Sequence, residues 1–415
     1  MKINSRTSLL LTACCFAVSG CTINEVITAE ETELVVAEMP PDEFFLLDIG
    51  IVEFEGGLSE DNNPEKSGIY EEIRSAEGRY LPYHLKTTLQ GTGHWGAVRV
   101  IPSRDAFTDV VISGTIDKSD GEYITLDISV GDSRGQHWYS KSYETQTGVS
   151  SYSENRDRRE DPYQKVFNDI ANDLQAYVQQ IQPKTVSEVR QVTELKFFAD
   201  MSPRSYGEHL LVDGDGILSI VRLPADNDPA VDRLRQIRER DRLVVDTLNE
   251  HYANFYYGIA IPYHSWRKTA REESINYRQV KRSAALQTLM GAVVLAGALA
   301  VDTGSSSYSR RRMKQSLQNI AIGEGFQAFK SGMSRRSEAG MHRESIKELS
   351  ESFGAEAAPM VVTVEGETRR LTGTAAAQYE SCRRLLKDIY ESETGFVDTA
   401  DGSDPNPVRI PEPTG

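Results

Sequence analysis

Residues 122–130 read Glu-Tyr-Ile-Thr-Leu-Asp-Ile-Ser-Val. Ile124, Leu126, Ile128 and Val130 alternate with Tyr123, Thr125, Asp127 and Ser129. A period of two places the first set on one face of a β-strand and the second on the other. Turn texts close both ends, Lys118-Ser119-Asp120-Gly121 before the strand and Asp132-Ser133-Arg134-Gly135 after it. Each puts glycine where a positive φ is needed. The stretch is therefore read as the middle of a three-strand meander.

The neighbouring text completes a domain over residues 43–182. Phe44 to Phe54 (FFLLDIGIVEF) reads as a buried strand. Ser67 to Gln90 reads as a helix with Ile73, Ala76, Tyr80, Leu85 and Leu89 near one face, and Pro82 is expected to kink it or to mark a late start. Ala97 to Ile101 is a short strand stopped by Pro102. After a polar linker, Ser150 to Asp161, comes a helix with Tyr163, Phe167, Ile170, Leu174 and Val178 on one stripe. The expected order is β-α-β-β-β-β-α.

Three short texts sit in that order. They are Ile73-Arg74-Ser75-Ala76-Glu77, His94-Trp95-Gly96-Ala97-Val98-Arg99-Val100 and Val111-Ile112-Ser113-Gly114-Thr115-Ile116. Together they resemble the N-terminal domain of the TolB translocation protein and the curli-secretion lipoprotein family. There a helix is followed by G-x-W-x-V and later by a V-x-G-x-I strand. The resemblance covers about a third of the chain and implies a periplasmic protein–protein interaction domain, not a catalytic one. The curli secretion pore also uses transmembrane β-hairpins, and this sequence offers none.

Residues 183–225 read as a small β element, its strands placed over 190–223 around Asp213-Gly214-Asp215-Gly216. Residues 226–353 read as helical. Val231, Leu234, Ile237, Val244, Leu248, Tyr252, Phe255 and Ile259 fit spacings of three, four and seven. Pro262 is expected to kink or end this helix, with a second one carrying Tyr263, Trp266, Ala270, Tyr277 and Val280. Leu317 to Phe353 reads as helical again. Residues 354–394 form a ββα module, with strands Met360 to Val364 and Arg369 to Thr372 about Glu365-Gly366 and a helix from Ala375 to Glu391. Residues 395–415, rich in Pro, Gly and Asp, are expected to be disordered. The fold class is α+β.

The chain begins with the features of an export signal over residues 1–20. Lys2 and Arg6 precede an apolar run, Leu9 to Val18, too short to span a bilayer by itself. It ends in Val18-Ser19-Gly20-Cys21, which resembles the bacterial lipobox. Cleavage between Gly20 and Cys21 and acylation of Cys21 are expected, and two acyl chains suffice for stable anchoring. Thr22 stands where an Asp would retain an enteric-type lipoprotein at the inner membrane, so the outer membrane, facing the periplasm, is expected. Residues 21–42, rich in Glu and Asp, are read as an acidic tether. The net charge of −16 becomes −18 once Lys2 and Arg6 leave, which argues against nucleic acid as a partner. Of four cysteines, Cys14 and Cys15 leave with the signal and Cys21 is acylated. Only Cys382 remains, in an apolar helical pattern that suits a small buried hydrophobe.

Motifs for chemistry are few. Gly91-Thr92-Gly93-His94-Trp95-Gly96 matches G-x-G-x-x-G but follows a helix and precedes a strand, the reverse of a dinucleotide site. A helix C-cap and turn accounts for it. Counted from Asp213, the twelfth residue is Pro224 where a calcium loop needs glutamate. His84, His94, His137, His209, His251, His264 and His342 lack zinc spacing, and no serine lies in G-x-S-x-G. Neither catalytic residue, metal nor cofactor is expected. Phe255, Tyr256, Tyr257, Tyr263 and Trp266 at helical spacing read as core before they read as a ligand platform.

Ala284 to Val301 is eighteen residues with only Gln287 and Thr288 polar. Ala292, Ala296 and Ala300 repeat every four, with Gly291 and Gly297 beside them, and such stripes let helices approach closely. Basic residues flank the run: Arg278, Lys281 and Arg282 before, Arg310, Arg311, Arg312 and Lys314 after. It is a transmembrane helix, an oligomer-core helix or an ordinary buried helix. The functional expectation is a non-enzymatic structural or assembly component of the cell envelope. It is anchored by lipid on Cys21, binds envelope proteins and forms a homo-oligomer. The alternative is a membrane-inserting or pore-forming secretion or transport component.

Overall fold

The computed structural model of the chain describes residues 31–39, 41–57, 70–104, 106–148, 150–153, 160–225, 227–300, 341–352, 360–364 and 367–394, with the side chains of 276–300, 360–364 and 367–369 outside the description. The fold is α+β. Strands β1 (Ile49–Ile51), β2 (Val98–Val100), β3 (Val110–Ser119), β4 (Tyr123–Asp132) and β5 (His137–Gln146) form one sheet in the order β2-β1-β3-β4-β5. β1 is parallel to β2 and β3, and the β3-β4-β5 meander is antiparallel. Helix α1 (Glu71–Thr92) connects β1 to β2, and α2 (Gln164–Val178) follows β5, which is the order read from the sequence. Ile124, Leu126, Ile128 and Val130 are all buried. Gly121 (φ 81°) and Gly135 (φ 88°) hold the two turns.

β1 is shorter than the apolar run 44–54. The Asp42 carboxylate accepts from Phe44 N–H at 3.0 Å and starts a turn over Glu43–Phe45, whose two phenylalanines stay exposed. Helix α1 begins at Glu71 and runs through Pro82. A proline removes the hydrogen bond to the carbonyl four residues back, here Gly78. That carbonyl accepts instead from Phe54 N–H at 2.8 Å, so the segment that follows β1 satisfies what Pro82 leaves open.

Two expectations are corrected. Residues 183–201 are not part of a β element. They form helix α3 (Pro183–Met201), with Pro183 in its first turn and Val186, Val189, Val192, Leu195 and Phe198 buried at helical spacing. Only β6 (Leu210–Val212) and β7 (Leu218–Ile220) make the small hairpin about residues 213–216. Nor does Pro262 end a helix, since α4 runs unbroken from Pro229 to Ala300. The carbonyl that Pro262 leaves unpaired is that of Gly258, which is exposed and open to water. Tyr263, Trp266 and Arg267 just beyond it are buried, and their packing holds the helix course.

The boundary expected at residue 226 does not separate two cores. Tyr252, Phe255, Ile259, Tyr263 and Trp266 of α4 share one core with the sheet, α1 and α2. Val231, Leu234, Ile237 and Leu248 share a second with α3, Ile101 and helix α6 (Ala375–Thr394). Of the aromatic cluster only Tyr257 is exposed. α4 also completes the β2 edge, because the Asn249 amide accepts from Val100 N–H and donates to Val100 O, both at 2.9 Å. A helix over residues 341–352, α5, lies on α1 through an Arg343–Glu72 ion pair of 3.0 Å. Strands β8 (Met360–Val364) and β9 (Glu367–Leu371) pair ahead of α6. Cys382 is buried in α6, and burial pushes its thiol up to about 12.

The last part of the expected tether is held to the body. Val35 N–H donates to Asn172 Oδ1 (2.9 Å), Asn168 Nδ2 to the Thr32 carbonyl (2.6 Å), Asn172 Nδ2 to the Glu33 carbonyl (2.9 Å) and Ala37 N–H to the Thr92 carbonyl (2.8 Å). Residues 395–415 and the 301–340 part of the helical region lie outside the described residues.

Asp241 of α4 is an ionisable cost inside the second core. It is 4 % exposed and its Oδ1 meets no donor. Burial, only partly countered by Arg383, pushes its carboxyl from 3.8 up to about 6. The folded state therefore binds this proton more tightly than the unfolded chain. The site's contribution to stability falls as pH rises from about 4 to about 6 and stays low above that. Asp241→Asn is expected to be more stable than the parent by about 2–3 kcal/mol at pH 7.5 and equal to it near pH 4. Urea unfolding at the two pH values checks this, and an equal difference at both would refute it.

Candidate functional site

Two polar constellations stand out, one sealed and one open. The sealed one fastens α4 to the α/β domain. Arg267 donates to both carboxylate oxygens of Asp161, each at 2.8 Å, with both residues buried. Its guanidinium lies 4.3 Å from the Tyr263 ring centre and 5.0 Å from that of Tyr163. Beside it, Glu77 Oε1 accepts from Tyr263 Oη (2.6 Å) and Ser119 Oγ (2.5 Å), and Glu77 Oε2 accepts from Arg74 Nη1 (2.7 Å). His84 is bracketed by the Tyr256 hydroxyl (2.7 Å) and Gln164 Oε1 (2.8 Å). Burial holds this imidazole below its ordinary value. A neutral ring that donates from Nε2 to Gln164 and accepts at Nδ1 from Tyr256 fits both contacts. Neither Asp161 nor His84 is among the described residues lining the two cavities below, and the network ties α4 to α1 and to the start of α2.

The open constellation is a cleft of about 410 Å³ at the carboxyl ends of the parallel strands. β1 is flanked by β2, reached through α1, and by β3, reached by crossing back over β1. Strand order reverses there, and in open α/β sheets ligands settle in the crevice outside the carboxyl ends at such a point. Val52 and Glu53 follow β1, Pro102 to Arg104 follow β2, and Ser113 and Gly114 belong to β3; Arg79, Tyr252 and the start of α6 close the sides. Glu53 accepts from Tyr252 Oη at 2.9 Å and faces Arg79 Nε at 3.4 Å. Arg79 Nη1 reaches the Ser350 carbonyl and hydroxyl of α5, both at 3.1 Å. Burial, reinforced by Glu53, pushes the Tyr252 phenol well up. A second recess of about 220 Å³ shares Glu53 and Arg79 with the cleft and extends along the first turns of α1 to Arg74 and Ser75.

Among the described residues the lining contains neither histidine nor cysteine, and the carboxylates that share it with the serines are Glu53, Glu55 and Glu71. Among the described residues no group of His, Cys, Asp and Glu is placed to hold a metal. What the arrangement can do is bind, through arginine forks, hydroxyls and a carboxylate.

None of the candidate site residues singled out from the sequence is among the described residues of the cleft lining. Gly20 and Cys21 are outside the described residues. Gly291, Ala292, Ala296, Gly297 and Ala300 belong to the backbone of α4, with their side chains outside the description. Among the described residues no helix is long and apolar enough to cross a membrane. Glu53, Arg74, Arg79 and Tyr252 were missed. One signal was available, because Glu77 sits on the same stripe as Ile73 and Tyr80, and a charge among core positions needs a partner.

No family model matches the chain, and no curated protein does. Among solved structures it is similar to a dodecamer of a PelC variant from Paraburkholderia phytofirmans, at 16 % identity over 37 % of this chain and 97 % of that one, with a TM-score of 0.20. A likeness at that score carries no argument about fold, assembly or function.

Proposed function

We propose that the chain is a membrane-anchored lipoprotein that acts as a non-enzymatic assembly or interaction component of the bacterial envelope, on the periplasmic side of the outer membrane. The observation that carries this reading is Val18-Ser19-Gly20-Cys21 at the end of a short apolar run behind Lys2 and Arg6. The leash would be short. Thr32 is already bonded to Asn168. The ten residues 22–31 between Cys21 and that contact reach at most roughly 35 Å when fully extended. An open cleft lined by arginines, hydroxyls and carboxylates gives such a role a surface that binds.

The assembly reading is favoured over a membrane-spanning one by the ends of the segment 276–340. On one side Arg271 donates to Thr147 at 3.1 Å, and on the other Arg343 pairs with Glu72. Both partners belong to the same body, so the chain between them crosses any bilayer an even number of times. It carries one long apolar run, 284–301, and its longest later stretch without a charge is the nine residues 315–323. A second crossing needs about 20 apolar residues. The apolar run, with Ala292, Ala296 and Ala300, is proposed instead as a contact between copies.

Fractionation of cells carrying the parent and Cys21→Ala tests this reading. The parent is expected in the membrane and the variant in the soluble periplasm. The extracted parent is expected to exceed the mass of one mature chain and to approach it in Ala292→Leu/Ala296→Leu. A carbonate-resistant Cys21→Ala protein would overturn the lipid-only anchor and favour the membrane-inserting alternative. A monomeric parent would remove the homotypic contact.

A further inference from the structure

The recess beside α1 contains an arginine that is only half used. Arg74 is 2 % exposed. Its Nη1 donates to Glu77 Oε2 at 2.7 Å, while Nε and Nη2 are buried without any acceptor. Those two nitrogens lie on one edge of the planar guanidinium. They form the parallel pair of donors that matches the two oxygens of a carboxylate or phosphate. A buried donor left unmade is costly, and each such group in a native fold calls for an explanation. The side chain that carries this pair lines the recess of about 220 Å³ together with Ser75, Gly78 and Arg79. Gly78 keeps the floor low, since its would-be Cβ meets the Phe54 carbonyl.

We infer that this recess is an anion site and that the Nε/Nη2 edge of Arg74 receives a single carboxylate or phosphate group of a ligand lying in the adjoining cleft. Arg79, shared by the two spaces, supplies a second cation at the join. Arg104 supplies a third at the far end of the cleft. Glu53, Glu55 and Glu71 also line the groove. Glu53 is already engaged by Arg79 and Tyr252. The acidic residues argue against a polyanion and for one localised negative group. The site goes beyond the lipoprotein reading and does not depend on it, because nothing in it involves Cys21 or a membrane.

The test uses the full chain in mild detergent, titrated with inorganic phosphate and separately with acetate, with ionic strength matched by sodium chloride. Saturable binding by calorimetry and a rise in unfolding temperature are expected with at least one of the two. The stronger response tells a phosphate-bearing ligand from a carboxylate-bearing one. Arg74→Lys keeps the charge and loses the paired donors, and is expected to weaken binding at least tenfold. Ser75→Glu, on the exposed rim, brings a competing carboxylate without touching the buried pair. It should weaken binding similarly even if Arg74→Lys fails to fold. No response to either anion beyond that to sodium chloride would overturn the site, as would unchanged binding in Ser75→Glu. It would equally be overturned if neutralising Glu60, Asp61 and Glu65 together lowered the unfolding temperature as much as Arg74→Lys does. That outcome would assign the acceptor to this chain's own acidic segment.

Discussion

Arg267→Ala is expected to destabilise the folded chain by about 3–5 kcal/mol, the usual cost of removing one partner of a buried ion pair. The size follows from what is left behind. Asp161 is buried, and both of its carboxylate oxygens take their charged donors from Arg267. Burial alone would push that carboxyl up. The neighbouring guanidinium outweighs burial and holds it well below the usual carboxylate range. The pair's contribution is thus fully present above the ordinary carboxylate value and is lost only as pH falls through the depressed one. Alanine also removes the guanidinium stacked on Tyr263 and Tyr163. Urea unfolding followed by circular dichroism measures the loss. Arg267→Met/Asp161→Leu should recover most of it, because the penalty belongs to the stranded charge and not to the missing attraction. If Arg267→Ala lay within about 1 kcal/mol of the parent, the pair would not be what fastens α4.

Gly121→Ala is expected to cost roughly 3–4 kcal/mol, and Gly135→Ala only about 1–2 kcal/mol. Both glycines close meander turns with positive φ, so each alanine carries the strain of a left-handed L-residue. They differ in what lies against them. A Cβ at Gly121 would overlap the Arg267 carbonyl oxygen and come 2.9 Å from the Arg271 backbone nitrogen, so α4 itself would have to move. At Gly135 the nearest atom is the Gly216 carbonyl oxygen at 3.0 Å, in a small hairpin that can shift. The Gly121 backbone is also pinned. Its N–H donates to Tyr163 Oη at 2.9 Å and its carbonyl accepts from Tyr152 Oη at 2.7 Å. Displacing α4 therefore loosens these contacts together. Comparing unfolding midpoints of the two variants measures the difference, and equal midpoints would mean that turn strain alone sets the cost.

The meander, the order β-α-β-β-β-β-α and the buried stripe of α4 were all legible in the text. Each rests on a local period: two for Ile124 to Val130, three and four for Val231 to Ile259. Turn chemistry at Gly121 and Gly135 and the cap at Gly93 were legible for the same reason. That α1 and α4 run on past their prolines was not legible, because a proline's cost depends on who satisfies the carbonyl four residues back. For Pro82 that partner is Phe54, twenty-eight residues away along the chain. The candidate cleft was not legible at all. Glu53, Arg79 and Tyr252 are far apart in sequence, and only the reversal of strand order at β1 and the docking of α4 bring them together.

Outside residues 183–201, the sequence by itself determined which described segments become strands and helices and where their apolar faces lie, because backbone sterics and side-chain periodicity act over a few residues. Only the tertiary structure decided which of two equivalent turn glycines carries a helix against it. It alone decided which buried arginine meets both oxygens of a carboxylate and which meets one and keeps two donors open. Those outcomes depend on atoms brought close from distant parts of the chain, and local pattern contains no record of that distance.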